Sequence, residues 1–381
     1  MTLTGFVAKS AFRNKRRSLL TVASIAFSLL LLCIMLCVWR SFYIDKGAPD
    51  SALRIVTRHK VSLANFLPIY YRDKIRAIPG VVHVAPMTWF GGTYIDDKPA
   101  HYFAQFATDP DEYFDVAADK IMPADQLAAW KKDRAGCVAD VVLANRLHWK
   151  IGDHIHLQGS IFPADLDLTL RGVYTIDPPT SGFFFHTKYL EESVDWFKDT
   201  AGFYMVRVDN PQSMPVVARE IDDMFHSSPT PTKSESEQAF KLDFIATLGS
   251  VKTFILAICG AVVFTTLLVC ANTMAMSIRE RTREVAVLRT LGFTRESILK
   301  LLMSESIAIA LIGGLLGVAL ASVAILFMAR PGIGLPVSMH MTIATAAVAM
   351  AVAAFVGIVS GVIPSYRASN LGIVDALRYL G

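Results

Sequence analysis

Ser277-Ile-Arg-Glu-Arg-Thr-Arg-Glu-Val-Ala-Val-Leu-Arg-Thr-Leu-Gly-Phe-Thr-Arg-Glu-Ser297 is a charged stretch between two long apolar runs. Arg279, Arg281, Arg283, Arg289 and Arg295 are interspersed with Glu280, Glu284 and Glu296, while Val285, Leu288 and Leu291 recur at every third position. That spacing predicts a helix with one narrow apolar stripe and an otherwise charged surface. Gly292 follows the last stripe position, where a left-handed cap commonly ends a helix. A small apolar face inside a charged rim suits the groove of a partner protein.

Working outward, the 381-residue chain is 53% hydrophobic and 18% charged. Its mean hydropathy of +0.42 is too high for an ordinary soluble protein. Four runs without a charge account for it, at 18–39, 253–278, 306–329 and 341–366. Each exceeds the roughly 20 residues a helix needs to cross a bilayer. The spans are therefore set at 18–39, 251–278, 301–329 and 341–366. A cleavable signal peptide is the rival reading of the first. That run, however, is longer than the usual ~7–15-residue apolar core and ends at the bulky Val38-Trp39-Arg40 without a small-x-small site.

Arg13, Lys15, Arg16 and Arg17 precede the first span, the arginine cluster separates the second from the third, and Arg367 and Arg378 follow the fourth. With an even number of spans all three basic groups share one side, which the positive-inside rule makes the cytoplasm. The N-terminal 1–17, the loop 279–300 and the tail 367–381 then lie inside, and 40–250 and the loop 330–340 outside. The net charge of +4 reflects this bias and gives no reason to expect nucleic-acid binding. The expected fold is an α-helical membrane protein of four spans with a large extracytoplasmic α+β domain inserted between the first and second. Four of five cysteines fall within spans, and Cys137 alone lies outside, so the domain has no internal disulfide.

Within the insert, 52–57 and 81–85 read as strands around a helix at 65–77, and 101–107 as a further strand. From about 115 to 200 the pattern turns β-rich, with Ile155-His-Leu157 alternating and 166–174 strand-like, which fits an insertion into one α+β domain. Strand 203–208 and a helix opened by Pro215 close the unit. Residues 227–237, rich in Ser, Thr, Pro and Glu, read as a linker, and 238–251 as a helix running into the second span. Gly182 before Phe183-Phe-Phe185 points to a loop with an aromatic surface, with core packing as the alternative, as it is for Trp89 and Phe90.

Small residues four apart, Gly313 and Gly317 in the third span and Gly357 and Gly361 in the fourth, let helices approach closely in lipid. Glu305 is a carboxylate at the inner edge of the third span; a proton site is one reading, and an ion pair with Arg279, Arg281 or another inside arginine is the favoured one. Nothing points to catalysis. There is no G-x-x-x-x-G-K-S/T, no G-x-S-x-G and no H-E-x-x-H. His154 and His156 share a strand face near His148, yet two histidines without a third ligand make a weak metal site. The spans lack the row of buried acids of a proton-driven pump, so any work is powered from elsewhere.

The order of one span, a large outer domain and three spans, with Arg281-Thr-Arg-Glu284, Leu288-Arg-Thr-Leu-Gly292 and Glu305, resembles the MacB/FtsX-type (type VII) permease subunits of ABC transporters. The closing Gly361-Val-Ile-Pro364, Arg367-Ala368 and Ala376-Leu-Arg378 fit the same pattern, as do Pro79-Gly-Val-Val82 and Gly152-Asp-His-Ile155 in a MacB-like periplasmic core domain. Thr290 and Phe293 stand where small alanines are common, and Asn370 where a proline is frequent before the next residue. The resemblance implies no enzyme activity or cofactor in this chain; ATP and magnesium are used by a separate ABC ATPase. It implies a homodimer, or a heterodimer with a sister permease, in a bacterial inner membrane with both termini cytoplasmic. A periplasmic adaptor and an outer-membrane channel are possible further partners. Arg281, Arg283, Glu284, Val285, Leu288, Arg289, Leu291 and Gly292 would form the ATPase-coupling contact. The implied function is mechanotransmission, in which ATP hydrolysis moves the outer domain to export or extract a hydrophobic or amphipathic substrate such as a lipid, lipoprotein, peptide or drug. Two alternatives stay open: an FtsX-like regulator of an extracytoplasmic cell-wall hydrolase, and a free-standing receptor or membrane enzyme.

Overall fold

The computed structural model describes residues 15–44, 49–177, 182–247, 249–328 and 339–370. It falls into two compact units, one of long helices and one formed by the segment between the first and second of them.

Helix α1 (Lys15–Tyr43) carries no charge between Arg17 and Arg40. In lipid every backbone N–H and C=O of such a run must be satisfied within the segment, which leaves the helix as its only form. One face of α1, with Val22, Ile25, Leu29 and Leu32, is buried, and the other exposes Leu19, Leu20 and Phe27.

The inserted unit is built on a nine-stranded mixed sheet. In chain order its strands are β1 (Arg54–His59), β3 (Val81–Trp89), β4 (Ala104–Thr108), β5 (Gly136–Asp140), β6 (His154–Leu157), β7 (Leu166–Tyr174), β8 (Gly182–His186), β10 (Phe203–Val208) and β11 (Thr232–Ser236). They lie side by side as β11-β1-β10-β3-β4-β8-β5-β7-β6, and β2 (Leu67–Pro68) pairs separately with β9 (Thr200–Ala201). The pairs β4–β8 and β5–β7 are parallel and the others antiparallel. Strands from both ends of the segment therefore meet: Val56 of β1 faces Met205 of β10 on one side and Glu235 of β11 on the other.

Alternation fills both faces. Ile55 enters a core with Tyr71 of α2 (Tyr71–Arg76) and Phe225 of α7 (Met214–Phe225), whose rings stack at 3.7 Å, while Val56 enters the core on the opposite face. Phe183 and Phe185 of β8 join Phe90, Phe103 and Phe162, whereas Phe184 turns to Tyr113 of α3 (Tyr113–Val116) and Trp130 of α4 (Ala124–Lys132). The shorter α5 (Val141–Arg146) and α6 (Thr187–Ser193) follow β5 and β8 directly.

Several expectations are corrected here. Phe183–Phe185 is a buried strand and not an aromatic loop. Gly182 is its first residue, small because a Cβ there would lie 2.5 Å from the Tyr174 hydroxyl. The helix expected over 65–77 shrinks to α2, since Pro68 lacks an N–H and holds its predecessor extended, in strand β2. The linker at 227–237 contains edge strand β11, whose polar side chains alternate along a backbone paired with β1. Nor does 238–251 run into the second span. Helix α8 (Glu237–Thr247) is separate, Gly249 takes a left-handed φ of +109°, and α9 (Val251–Glu280) starts anew.

Helices α10 (Thr282–Thr290), α11 (Arg295–Met328) and α12 (Ile343–Ser369) complete the helical unit. Among the described residues, α1, α9, α11 and α12 are the four helices long and apolar enough to cross a membrane. Most of the expected outer loop 330–340 and the closing Ala376-Leu-Arg378 lie outside the described residues.

Candidate functional site

The charged stretch folds into α10, held between α9 and α11 by three local devices. Arg281 is both the last cap of α9 and the first of α10. At the other end Gly292 has φ +92°, the Phe293 N–H donates to the Leu288 carbonyl and the Gly292 N–H to that of Arg289, each at 3.1 Å. This is the paired cap that glycine permits at a helix end. The Ser297 N–H then donates to Thr294 Oγ1 at 3.2 Å, capping the start of α11. The chain thus turns twice within about fifteen residues, each turn fixed by its own hydrogen bonds.

The apolar side chains divide in a way that three-residue spacing does not reveal. Val285 and Ala286 are buried, and Val285 and Leu288 pack with Ile278, Ile298, Leu302 and Ala368. Val287, Leu291 and Phe293 are 47%, 71% and 50% exposed. Val285 and Leu288 are therefore structural anchors of α10 and not its outward stripe, which corrects the expectation for those two. Leu291 does face out, with Val287 and Phe293 beside it, residues missing from the expected contact. Their signal was the 100° turn per residue: positions 287 and 291 are one turn apart, as 284 and 288 are. Glu284 is exposed in the first turn of α10, where a negative charge suits the helix dipole. Arg289 is half-buried, and the Arg283 side chain lies outside the described residues.

Glu305 is paired: Arg281 Nη1 donates to its Oε2 at 2.8 Å, with the carboxylate side chain only 5% exposed. Asn370, which departs from the family pattern, accepts from Arg295 Nη1 at 3.5 Å. The four spaced glycines sit at helix crossings. A Cβ on Gly313 would fall 2.7 Å from Ile25 of α1, and one on Gly317 2.8 Å from the Ala26 carbonyl. On Gly357 it would fall 2.8 Å from Ala310 Cβ, and on Gly361 2.9 Å from Ser306.

Among the described residues no group of three or more His, Cys, Asp or Glu is placed to hold a metal. His154 and His156 are exposed on edge strand β6, and His156 is held by Asp167 at 2.7 Å, which raises its pKa.

The sequence matches two family models, the MacB-like periplasmic core domain over residues 18–224 and the FtsX-like permease C-terminal region over 254–373. It is 32% identical over 151 residues to the uncharacterized ABC transporter permease YknZ of Bacillus subtilis, covering 38% of this chain and 37% of that one. It is 38% identical over 108 residues to the macrolide export ATP-binding/permease protein MacB of Rhodopirellula baltica, covering 28% of this chain and 15% of that one. The chain thus spans well under half the length of these relatives. Among solved structures, the periplasmic region of MacB from Actinobacillus actinomycetemcomitans covers 50% of the chain at TM-score 0.38 and 11% identity, and the extracellular domain of YknZ covers 48% at TM-score 0.34 and 14% identity. The chain belongs to the type VII family of ABC transporter permeases, with a MacB-like outer domain and an FtsX-like C-terminal region. It is a multi-pass membrane protein with an extracellular domain.

Proposed function

We propose that this permease couples ATP hydrolysis by a partner ATPase to movement of its extracellular domain, and that α10 is the element the ATPase grips. The observation that carries the reading is the outward apolar corner of Val287, Leu291 and Phe293 on a helix whose opposite face is anchored in the chain. Burying such side chains in a groove contributes about 1.5–3 kcal/mol each. The sequence has no phosphate-cradling G-x-x-x-x-G-K-S/T, so nucleotide chemistry is assigned to the partner.

Mechanical coupling, in place of conduction through the spans, is supported by what the polar side chains of the helices do. The hydroxyls of Thr265, Thr266, Thr273 and Ser322 return to carbonyls of their own helices. That satisfies them without building a polar path. The substrate class that fits is an amphipathic or hydrophobic molecule taken up outside the bilayer. The working assembly would be a dimer with an ATPase on the inside, in a bacterial inner membrane with both termini cytoplasmic, and an adaptor and outer-membrane duct are compatible with it.

Leu291→Asp and Phe293→Asp test the grip without disturbing the core. Each should weaken ATPase retention on the purified complex on the order of 30-fold, the equivalent of about 2 kcal/mol, with thermal unfolding unchanged. If both variants keep the ATPase in wild-type amount, α10 is not the docking element. Leu288→Asp is a poorer test, because it would place a charge among Ile298, Leu302 and Ala368.

A further inference from the structure

Ile298, Leu302, Glu305 and Ile309 of α11 are spaced four, three and four residues apart and so lie along one stripe of the helix. Ile298 and Leu302 meet Val285 and Leu288 of α10, and Ile309 packs with Val22, Ile25 and Cys270. Between these two apolar contacts the stripe carries a carboxylate, with its charge buried against Arg281. A leucine there would continue the packing with no desolvation to offset, and a buried ion pair is weak evidence for added stability. Its best-attested use is to fix register, because only one relative placement of two helices satisfies both charges. Arg281 is suited to that use, being the hinge residue between α9 and α10. The next residue extends the linkage: the Ser306 hydroxyl donates to the Gly357 carbonyl of α12 at 2.8 Å, at a crossing where Gly357 allows close approach. The carboxylate also borders a cavity of about 20 Å³ whose lining includes Ser18 and Thr21 of α1 and Thr273 and Ser277 of α9, beside the apolar Ile25, Cys270 and Met274.

We propose that Arg281 and Glu305 are a positioning pair, which locks the rotation and register of α10 on α11 so that a displacement of α10 carries α11, and through Ser306 α12, with it. The inference rests on the reading of α10 as the ATPase grip. The caps at Arg281 and Gly292 fix the two ends of α10, and the ion pair adds a contact that depends on the rotation of α10 against α11. A roll of α10 on α11 would break this buried, charge-assisted hydrogen bond.

The test is hydrogen exchange on the full chain, purified with whatever ATPase accompanies it, for the wild type, Glu305→Gln and the exchanged pair Arg281→Glu/Glu305→Arg. In Glu305→Gln the amides of 282–290 should exchange about ten-fold faster, and the exchanged pair should restore them to within about three-fold. Exchange in β1 and β10 serves as the folding control. ATP with vanadate should alter protection along 343–369 in the wild type and in the exchanged pair, and not in Glu305→Gln. Wild-type exchange over 282–290 in Glu305→Gln, failure of the exchanged pair to restore it, or an intact ATP response in Glu305→Gln would each overturn the inference. A wild-type complex without any ATP response would sink the ATPase reading and, with it, the transmission half of the proposal. The exchange rates would still decide whether the pair fixes α10.

Discussion

His186 ends β8 with its ring buried beneath Trp130, Nε2 lying 2.8 Å from the Trp130 carbonyl, which fits a neutral ring that donates there. Burial is the main influence on this group and lowers its pKa from 6.5, with the Trp130 carbonyl and Asp133 pulling the other way. The unfolded chain therefore takes up a proton near pH 6.5 that the folded domain resists, so stability falls as pH drops below 6.5. His156 shifts oppositely through Asp167, but both side chains are exposed and the pair contributes little. Melting temperatures at pH 7.5 and 5.5 should show a loss on acidification that His186→Gln, which keeps a donor without a titrating ring, largely removes. An equal loss in that variant would assign the effect elsewhere. At this scale the sequence is least informative. Phe183, Phe184 and Phe185 read equally well as surface or core, because whether an aromatic is buried depends on strands far away in the chain.

At the scale of elements, the spaced glycines and the charged strand β1 make the sharpest claims. Gly317→Val would drive a side chain into the Ala26 carbonyl of α1, a backbone atom that cannot swing aside. It should destabilise the helical unit by about 1–3 kcal/mol. Gly260→Ala meets nothing within 4 Å and should be neutral or slightly stabilising, which makes it the matched control for thermal unfolding in detergent. In β1 the Arg54 guanidinium is almost fully buried and pairs with Asp50, Asp119 and Glu237. Arg58 likewise holds Asp243 of α8 and Glu235 of β11. Burial opposes the charge on Arg54, yet Glu237 and Asp119 outweigh it and raise the pKa. Arg54→Met would take this cation from Asp119 and Glu237 while Asp50 keeps Arg207, at a cost of about 3–5 kcal/mol, and should loosen α8 before the sheet. Unchanged protease resistance at 237–247 in that variant would show that the contact of Phe240 with Phe203 and the Arg58–Asp243 pair hold α8 without Arg54. None of this was legible beforehand: 227–237 looks like a linker because its side chains are polar, whereas its strand is made by backbone pairing to β1.

For the molecule as a whole, the testable statement is which side of the membrane each part occupies. Cys33, Cys37, Cys137 and Cys270 are buried and Cys259 is half-buried, so the wild-type chain should react poorly with a membrane-impermeant maleimide. Asp125→Cys in the extracellular domain should be labelled on intact cells, and Lys300→Cys at the start of α11 only after permeabilisation. The reverse pattern would invert the orientation taken from the arginine distribution.

The sequence by itself determined the four spans, the insertion of one large domain after the first, and the α10 segment with Gly292 at its end. These depend on composition over about twenty residues and on turn chemistry within four or five, both local properties of the chain. Only the tertiary structure decided that Val285 and Leu288 face inward while Val287, Leu291 and Phe293 face out. It alone showed that Arg281 pairs with Glu305, and joined strands from both ends of the inserted segment in one sheet. The physical reason is that helical periodicity fixes which side chains share a face, but which face is buried is set by neighbours brought in from elsewhere in the chain.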